Sequence, residues 1–143
     1  MAVQRQSLTL HSDIAELARV ATFVEAFCAP LRPSEKDVAA LQVALEEAVT
    51  NVIKHGYGEG NTHSFTVTLA LDTEDRITAV LTDEARAYDP LARPPVDISA
   101  PLAEREIGGL GVHLMKKLMD HCGYERRDGK NILTLERIIR RAT

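Results

Sequence analysis

Residues 45–57 read Leu45-Glu46-Glu47-Ala48-Val49-Thr50-Asn51-Val52-Ile53-Lys54-His55-Gly56-Tyr57. This stretch ends a run that starts at Ser34-Glu35-Lys36-Asp37, a capping-box-like sequence. The spacing predicts a long helix from there to about Lys54, broken by Gly56, Gly58 and Gly60. With Glu47 at zero and about 100° per residue, Val38, Leu41, Ala44, Leu45, Ala48, Val49 and Val52 gather around roughly 135°. Glu47, Asn51 and His55 fall near roughly 0°, 40° and 80°, a stripe along the edge of that apolar face. Glu46 lies on the far side, towards water. A carboxylate and a carboxamide beside a core face are costly unless paired. The stripe reads either as a hydrogen-bonded helix edge or as a Glu base next to an Asn oxygen offered to a hard cation such as Mg²⁺.

Upstream, Gln4 to Leu10 alternates as a short strand. Ser12 or Asp13 can cap a helix to about Cys28, with Ile14, Leu17, Ala18, Ala21 and Val24 at helical spacing. Pro30 and Pro33 end it. Downstream, Ser64–Leu71 and Arg76–Thr82 alternate at period two across the polar turn Asp72-Thr73-Glu74-Asp75, a hairpin pattern. From Asp83 to Ile107 periodicity vanishes, and Pro90, Pro94, Pro95 and Pro101 fall there. A loop of about 25 residues inside a compact domain is usually functional or disordered. Gly108-Gly109-Leu110-Gly111 then opens a helix with Val112, Met115, Leu118 and Met119 on one face. Two strands, about Gly123–Arg127 and Asn131–Ile138, close the chain around the turn Asp128-Gly129. The order β-α-α-β-β-loop-α-β-β predicts an α+β, two-layer α/β sandwich: a mixed, mostly antiparallel sheet covered on one face by about three helices.

Two more places stand out. In Thr82-Asp83-Glu84-Ala85-Arg86-Ala87-Tyr88-Asp89-Pro90, the Asp leaving a strand is either a turn-former or a carboxylate at a pocket floor that accepts from an exocyclic amine. The glycines at 108–111 let backbone approach a ligand, and free N–H groups at a helix start favour an anion. There is no Walker A lysine, and no strand precedes them as in a Rossmann fingerprint.

Length and charge set limits on function. The 143 residues suit one domain, 1–143, with room for about one site. Seventeen Lys and Arg against 21 Asp and Glu give a net charge of −4, which argues against direct nucleic-acid binding. The basic run Arg137, Arg140 and Arg141 reads as a solvated tail. No window approaches 18 apolar residues and no signal peptide is evident, so no membrane role is expected. Cys28 and Cys122 lack metal or disulfide spacing and suit a cytoplasmic protein with reduced thiols.

The three features together resemble, in order, the ATPase fold shared by gyrase, heat-shock chaperones, sensor histidine kinases and mismatch-repair proteins. The short chain and short lid are similar to the bacterial anti-sigma factor and serine-protein kinase family of that histidine-kinase-like fold. The resemblance is carried by Leu45–Tyr57, Asp83–Leu91, Arg105–Gly111 and Tyr124–Leu135. It implies Glu47 as the general base, and Asn51 as the Mg²⁺ ligand that bridges the ATP phosphates. It implies Asp83 as the adenine-reading carboxylate and Thr134 as the hydroxyl supporting that contact. The backbone at Gly109, Leu110 and Gly111 would wrap the phosphates, and residues 83–107 would form the loop and ATP lid. His55 lies on the same stripe as Glu47, and Arg105 in the lid would reach a phosphate. The implied activity is phosphorylation of a serine or threonine on a small anti-sigma antagonist, together with capture of a sigma factor. Members of the family often dimerise. One departure is Ala85, where the family usually has glycine. A side chain there costs little at negative φ and about 1–2 kcal/mol at positive φ. That departure implies an alternative, a partner-binding module with an impaired nucleotide site.

Overall fold

The computed structural model describes residues 2–57, 61–92 and 109–140. Strand β1 (Ala2–Ser12) leads through a single 3₁₀ turn into helix α1 (Leu17–Cys28). Helix α2 (Glu35–Asn51) follows and runs on as a π-helical stretch, Val52–Tyr57. Strands β2 (Asn61–Asp72) and β3 (Arg76–Asp83) come next, then helix α3 (Gly109–Leu118) and strands β4 (His121–Arg127) and β5 (Lys130–Ile138).

The strands form one sheet in the order β1-β2-β3-β5-β4. Every pairing is antiparallel, so the expected mixed sheet is not mixed. The reason lies in one insertion. β3 and β4 run in the same direction, as a helical crossover requires, but β5 turns back and seats itself between them. The β4–β5 turn has positive φ at Asp128 (54°) and Gly129 (76°), the combination of a type I′ hairpin. The β2–β3 turn is held by Asp72 Oδ1, which accepts from the N–H groups of Glu74 (2.8 Å) and Arg76 (3.0 Å).

One face of the sheet is buried. β3 alternates strictly, with Ile77, Ala79, Leu81 and Asp83 inward. Phe65, Val67, Leu69 and Leu71 of β2 and Leu133 and Leu135 of β5 share that face. α2 lies over it between α1 and α3, and buries Leu41, Ala44, Leu45, Ala48 and Val49. α3 adds Val112, Met115 and Met119. The buried face of α1 centres on Val20, Val24 and Phe27, while Ala18 is exposed. The expected face is rotated because Asp13 caps a 3₁₀ turn and the α-helix begins only at Leu17. Among the described residues no helix is long and apolar enough to cross a membrane.

Arg137 does not belong to a solvated tail, whereas the Arg140 side chain is exposed. Arg137 reaches back 100 positions to Asp37, which is buried in the first turn of α2. Its Nε and Nη2 meet Asp37 Oδ1 at 2.9 and 2.8 Å, and its Nη1 donates to the Leu118 carbonyl at the end of α3. Asp37 Oδ2 accepts from the Arg140 N–H at 2.7 Å, and Ser34 N–H donates to the Arg140 carbonyl at 2.8 Å. One carboxylate thus ties the start of α2, the end of α3 and the chain after β5 together. Arg141 lies outside the described residues.

Burial alone would raise the Asp37 pKa. The hydrogen bonds from Arg140, Arg137 and Ser34 and the Arg137 charge outweigh it, and the pKa lies below its ordinary 3.8. A depressed folded-state pKa contributes stability above the unfolded value and loses it as pH falls through the folded one. Removing one partner of a buried pair costs about 3–5 kcal/mol. Asp37→Asn should therefore lose about that much stability at pH 7, read from urea denaturation. The gap to the unmodified protein should narrow once the pH drops below 3.8. A constant gap down to pH 2 would mean that the charge contributes nothing.

Candidate functional site

The inward face of the sheet turns polar at one end. Asp83 ends β3 and stands opposite Asn131 of β5. Both are buried, at 6% exposure, and on the helix above them Asn51 is buried at 4%. These three line a pocket with Ala48, Gly56, Tyr88 and Tyr124. Its cavity is only about 20 Å³, roughly the space of one water molecule.

Asn131 organises the floor. Its Nδ2 donates to Asp83 Oδ1 at 2.9 Å and to the Arg86 carbonyl at 2.9 Å. Its Oδ1 accepts from Tyr124 OH at 2.5 Å and from the Tyr88 N–H at 3.3 Å. Two donor hydrogens and two lone pairs are all engaged, which is the full capacity of a carboxamide. Asp83 Oδ1 also accepts from the Ala85 N–H at 3.0 Å, closing a turn of the kind expected at that aspartate. Both of these Asp83 contacts fall on Oδ1.

Thr134 does not join this group. Strand alternation sends it to the outer face, opposite Val80 on β3 and Gly123 on β4. Asn131 takes the place expected of it. Leu133 and Leu135, both inward, carried the signal: they flank Thr134 and share parity with Asn131.

Above the floor, Glu46 is exposed and Glu47 half-buried, as the helix angles require. Asn51 Nδ2 is buried without a partner, so the Asn51 side chain is not merely a satisfied helix edge. The stripe breaks after Asn51. The π-helical stretch slips the register, and His55 leaves the pocket wall to stack on Tyr88, with ring centroids 5.1 Å apart. Tyr57 follows, and its hydroxyl accepts from the Glu84 N–H at 2.6 Å. Burial holds that phenol above its ordinary pKa of 10.0, so it stays neutral. Aromatic side chains thus line the pocket through Tyr88 and Tyr124, which a reading of the site through Asp83 and Thr134 alone had not anticipated. Gly109, Leu110 and Gly111 open α3, whose first N–H groups lack helical partners. Arg105 lies outside the described residues.

Ala85 has no positive φ, since the only non-glycine residues with positive φ among those described are Arg32, Asp75 and Asp128. The strain feared at this position is therefore absent. Its methyl faces Gly56, where an added Cβ would lie 3.1 Å from Ala85 Cβ. Gly56→Ala should therefore destabilise by about 1–3 kcal/mol through overpacking. Adding Ala85→Gly to that variant should recover most of the loss, as measured by a double-mutant cycle in urea. Simple additivity of the two changes would show that the methyl groups do not meet.

Comparisons with known proteins agree with this fold. Residues 10–137 match the profile of the histidine kinase-like ATPase domain. The chain is similar to the serine-protein kinase RsbW of Halalkalibacterium halodurans, at 32% identity over 73% of this chain and 65% of the relative. It is also 32% identical to the anti-sigma F factor of Thermoanaerobacter sp. (strain X514), over 78% of this chain and 77% of the relative. A third relative, the serine/threonine-protein kinase BtrW of Bordetella bronchiseptica, is 32% identical over 66% of each chain. The chain thus spans just under two thirds of the length of two of these relatives. Among solved structures, that of the RsbU and RsbW domains of Rv1364c from Mycobacterium tuberculosis has a TM-score of 0.69. It covers 99% of this chain and 35% of that one at 18% identity, a likeness of fold. A conserved fold, a pocket under α2 and relatives above 30% identity converge: the chain belongs to the histidine kinase-like ATPase domain family, among its anti-sigma factors and serine-protein kinases.

Proposed function

We propose that the chain binds Mg·ATP, phosphorylates a serine or threonine of a small antagonist protein, and captures a sigma factor. The observation that carries this reading is the set of polar groups in the pocket. The unpartnered Asn51 amide and the Asp83 carboxylate belong to residues lining one cavity, and Glu47 stands one helical turn before Asn51. A buried polar group left unpaired in an otherwise satisfied wall suits a polar ligand. The carboxamide also offers the oxygen that a hard cation takes.

In this reading Asp83 Oδ2 accepts from the exocyclic amine of adenine, and Asn131 keeps the carboxylate turned for it. Asn51 holds the magnesium ion. The backbone N–H groups at Gly109, Leu110 and Gly111 hold phosphate oxygens, with Arg105 as a further cation in the lid. Mg·ATP supplies the phosphoryl group and part of the charge neutralisation that phosphoryl transfer needs. Glu47 orients the acceptor hydroxyl and takes its proton. The antagonist and the sigma factor dock on the protein surface, and a homodimer agrees with this reading. The alternative of a purely stoichiometric module drew on Ala85, whose methyl packs on Gly56 and whose backbone is unstrained.

A saturating nucleotide at about 100 times its dissociation constant stabilises by about 2.7 kcal/mol. Mg·ADP or Mg·ATP should therefore raise the melting temperature clearly. No shift at millimolar nucleotide would sink the kinase reading. Glu47→Ala should lower phosphate transfer to an antagonist domain by about 10²–10⁴-fold, with nucleotide affinity largely kept. Equal loss of transfer and of nucleotide binding would assign Glu47 to the pocket rather than to the chemistry.

A further inference from the structure

Tyr88 lines the pocket. Ala48, Asn51, Val52 and Gly56 reach the cavity from the helix, and strand residues close the other side. Among the described residues, only Tyr88 and Pro90 enter from the segment after β3. The Tyr88 ring lies against His55, with centroids 5.1 Å apart and 17° between the planes. Its N–H is held by Asn131. Its hydroxyl is buried and has no hydrogen-bond partner. The cavity beside it, about 20 Å³, takes roughly one water and no purine ring.

We propose that the Tyr88 side chain is a displaceable plug: its ring and a nucleobase compete for one space, and its departure from His55 sets the apparent nucleotide affinity. The proposal rests on the nucleotide reading above. Two opposing terms make the plug removable. Its stack on His55 and the burial of its ring hold it in place. Its stranded hydroxyl pushes it out, because a phenol that swings towards solvent regains a hydrogen bond. The backbone anchor on Asn131 lets the side chain rotate while the Asp83 turn stays fixed. Apparent affinity is then the intrinsic affinity reduced by the fraction of molecules with Tyr88 withdrawn.

The test is calorimetric titration of Mg·ADP into the unmodified protein, Tyr88→Phe and Tyr88→Ala, with melting temperatures taken without nucleotide. Tyr88→Phe keeps the ring and removes the stranded hydroxyl. It should melt higher than the unmodified protein and bind Mg·ADP about five- to tenfold more weakly. Tyr88→Ala removes the plug and should bind about tenfold more tightly. Weaker binding by Tyr88→Ala with unchanged binding by Tyr88→Phe would make the ring a stacking platform for the base and overturn the plug. Equal affinity in all three proteins overturns it as well. If Tyr88→Ala does not fold, Tyr88→Phe decides alone, and binding as tight as the unmodified protein's rejects the proposal. Binding by none of them overturns the nucleotide reading itself, and the plug falls with it.

Discussion

The carboxamide of Asn131 is the contact on which the site depends. A sheet with one buried face must end that face somewhere, and here it ends in two polar side chains side by side. The turn after Asp83 has no ladder to satisfy its backbone. Asn131 takes the Arg86 carbonyl and the Tyr88 N–H, while Arg126 Nη1 donates to the Ala85 carbonyl at 2.8 Å. An aspartate at 131 would bring no donor, and a threonine only one. Only a carboxamide can fix the Asp83 carboxylate and the turn at once.

Helix α2 is anchored differently at its two ends. At the start, Asp37 is locked by Arg137 and by the chain after β5. At the end, α-helical bonding gives way to the π-helical stretch, which carries His55 onto Tyr88 and lays Gly56 against Ala85. Glu47 and Asn51 sit between these anchors, on the last two regular turns. Their positions relative to Asp83 are set by a packed helix on a packed sheet, not by a loop.

Most of the fold was legible in the sequence because it is written in local periods. The α2 face, the hairpin turns, the alternation of β3 and the inward face of α3 follow from spacing and turn chemistry. The wholly antiparallel sheet was not legible, since nothing local says that β5 inserts between β3 and β4. Asp37 and Arg137 failed for a related reason: they are 100 residues apart, and each alone looks like an ordinary surface charge. Within the site, Asn51 and Asp83 line one cavity, and Glu47 lies one helical turn before Asn51. Asn131 was missed although strand parity named it. His55 was misplaced because an α-helical wheel cannot anticipate a slip to π-helical bonding. Tyr88 was missed because its meaning comes from what it covers.

The contact between Gly56 and Ala85 has a consequence for how relatives of this chain are compared. Read one position at a time, alanine at 85 looks like the loss of a required glycine. Read as a pair, the two positions share the space of a single methyl group, which Ala85 fills here. Substitution at these two positions should then be correlated through descent: a side chain gained at one is tolerated where the other gives one up. A degenerate site would shed such constraints independently, so the joint record of two small residues is a better witness to a maintained pocket than either residue alone.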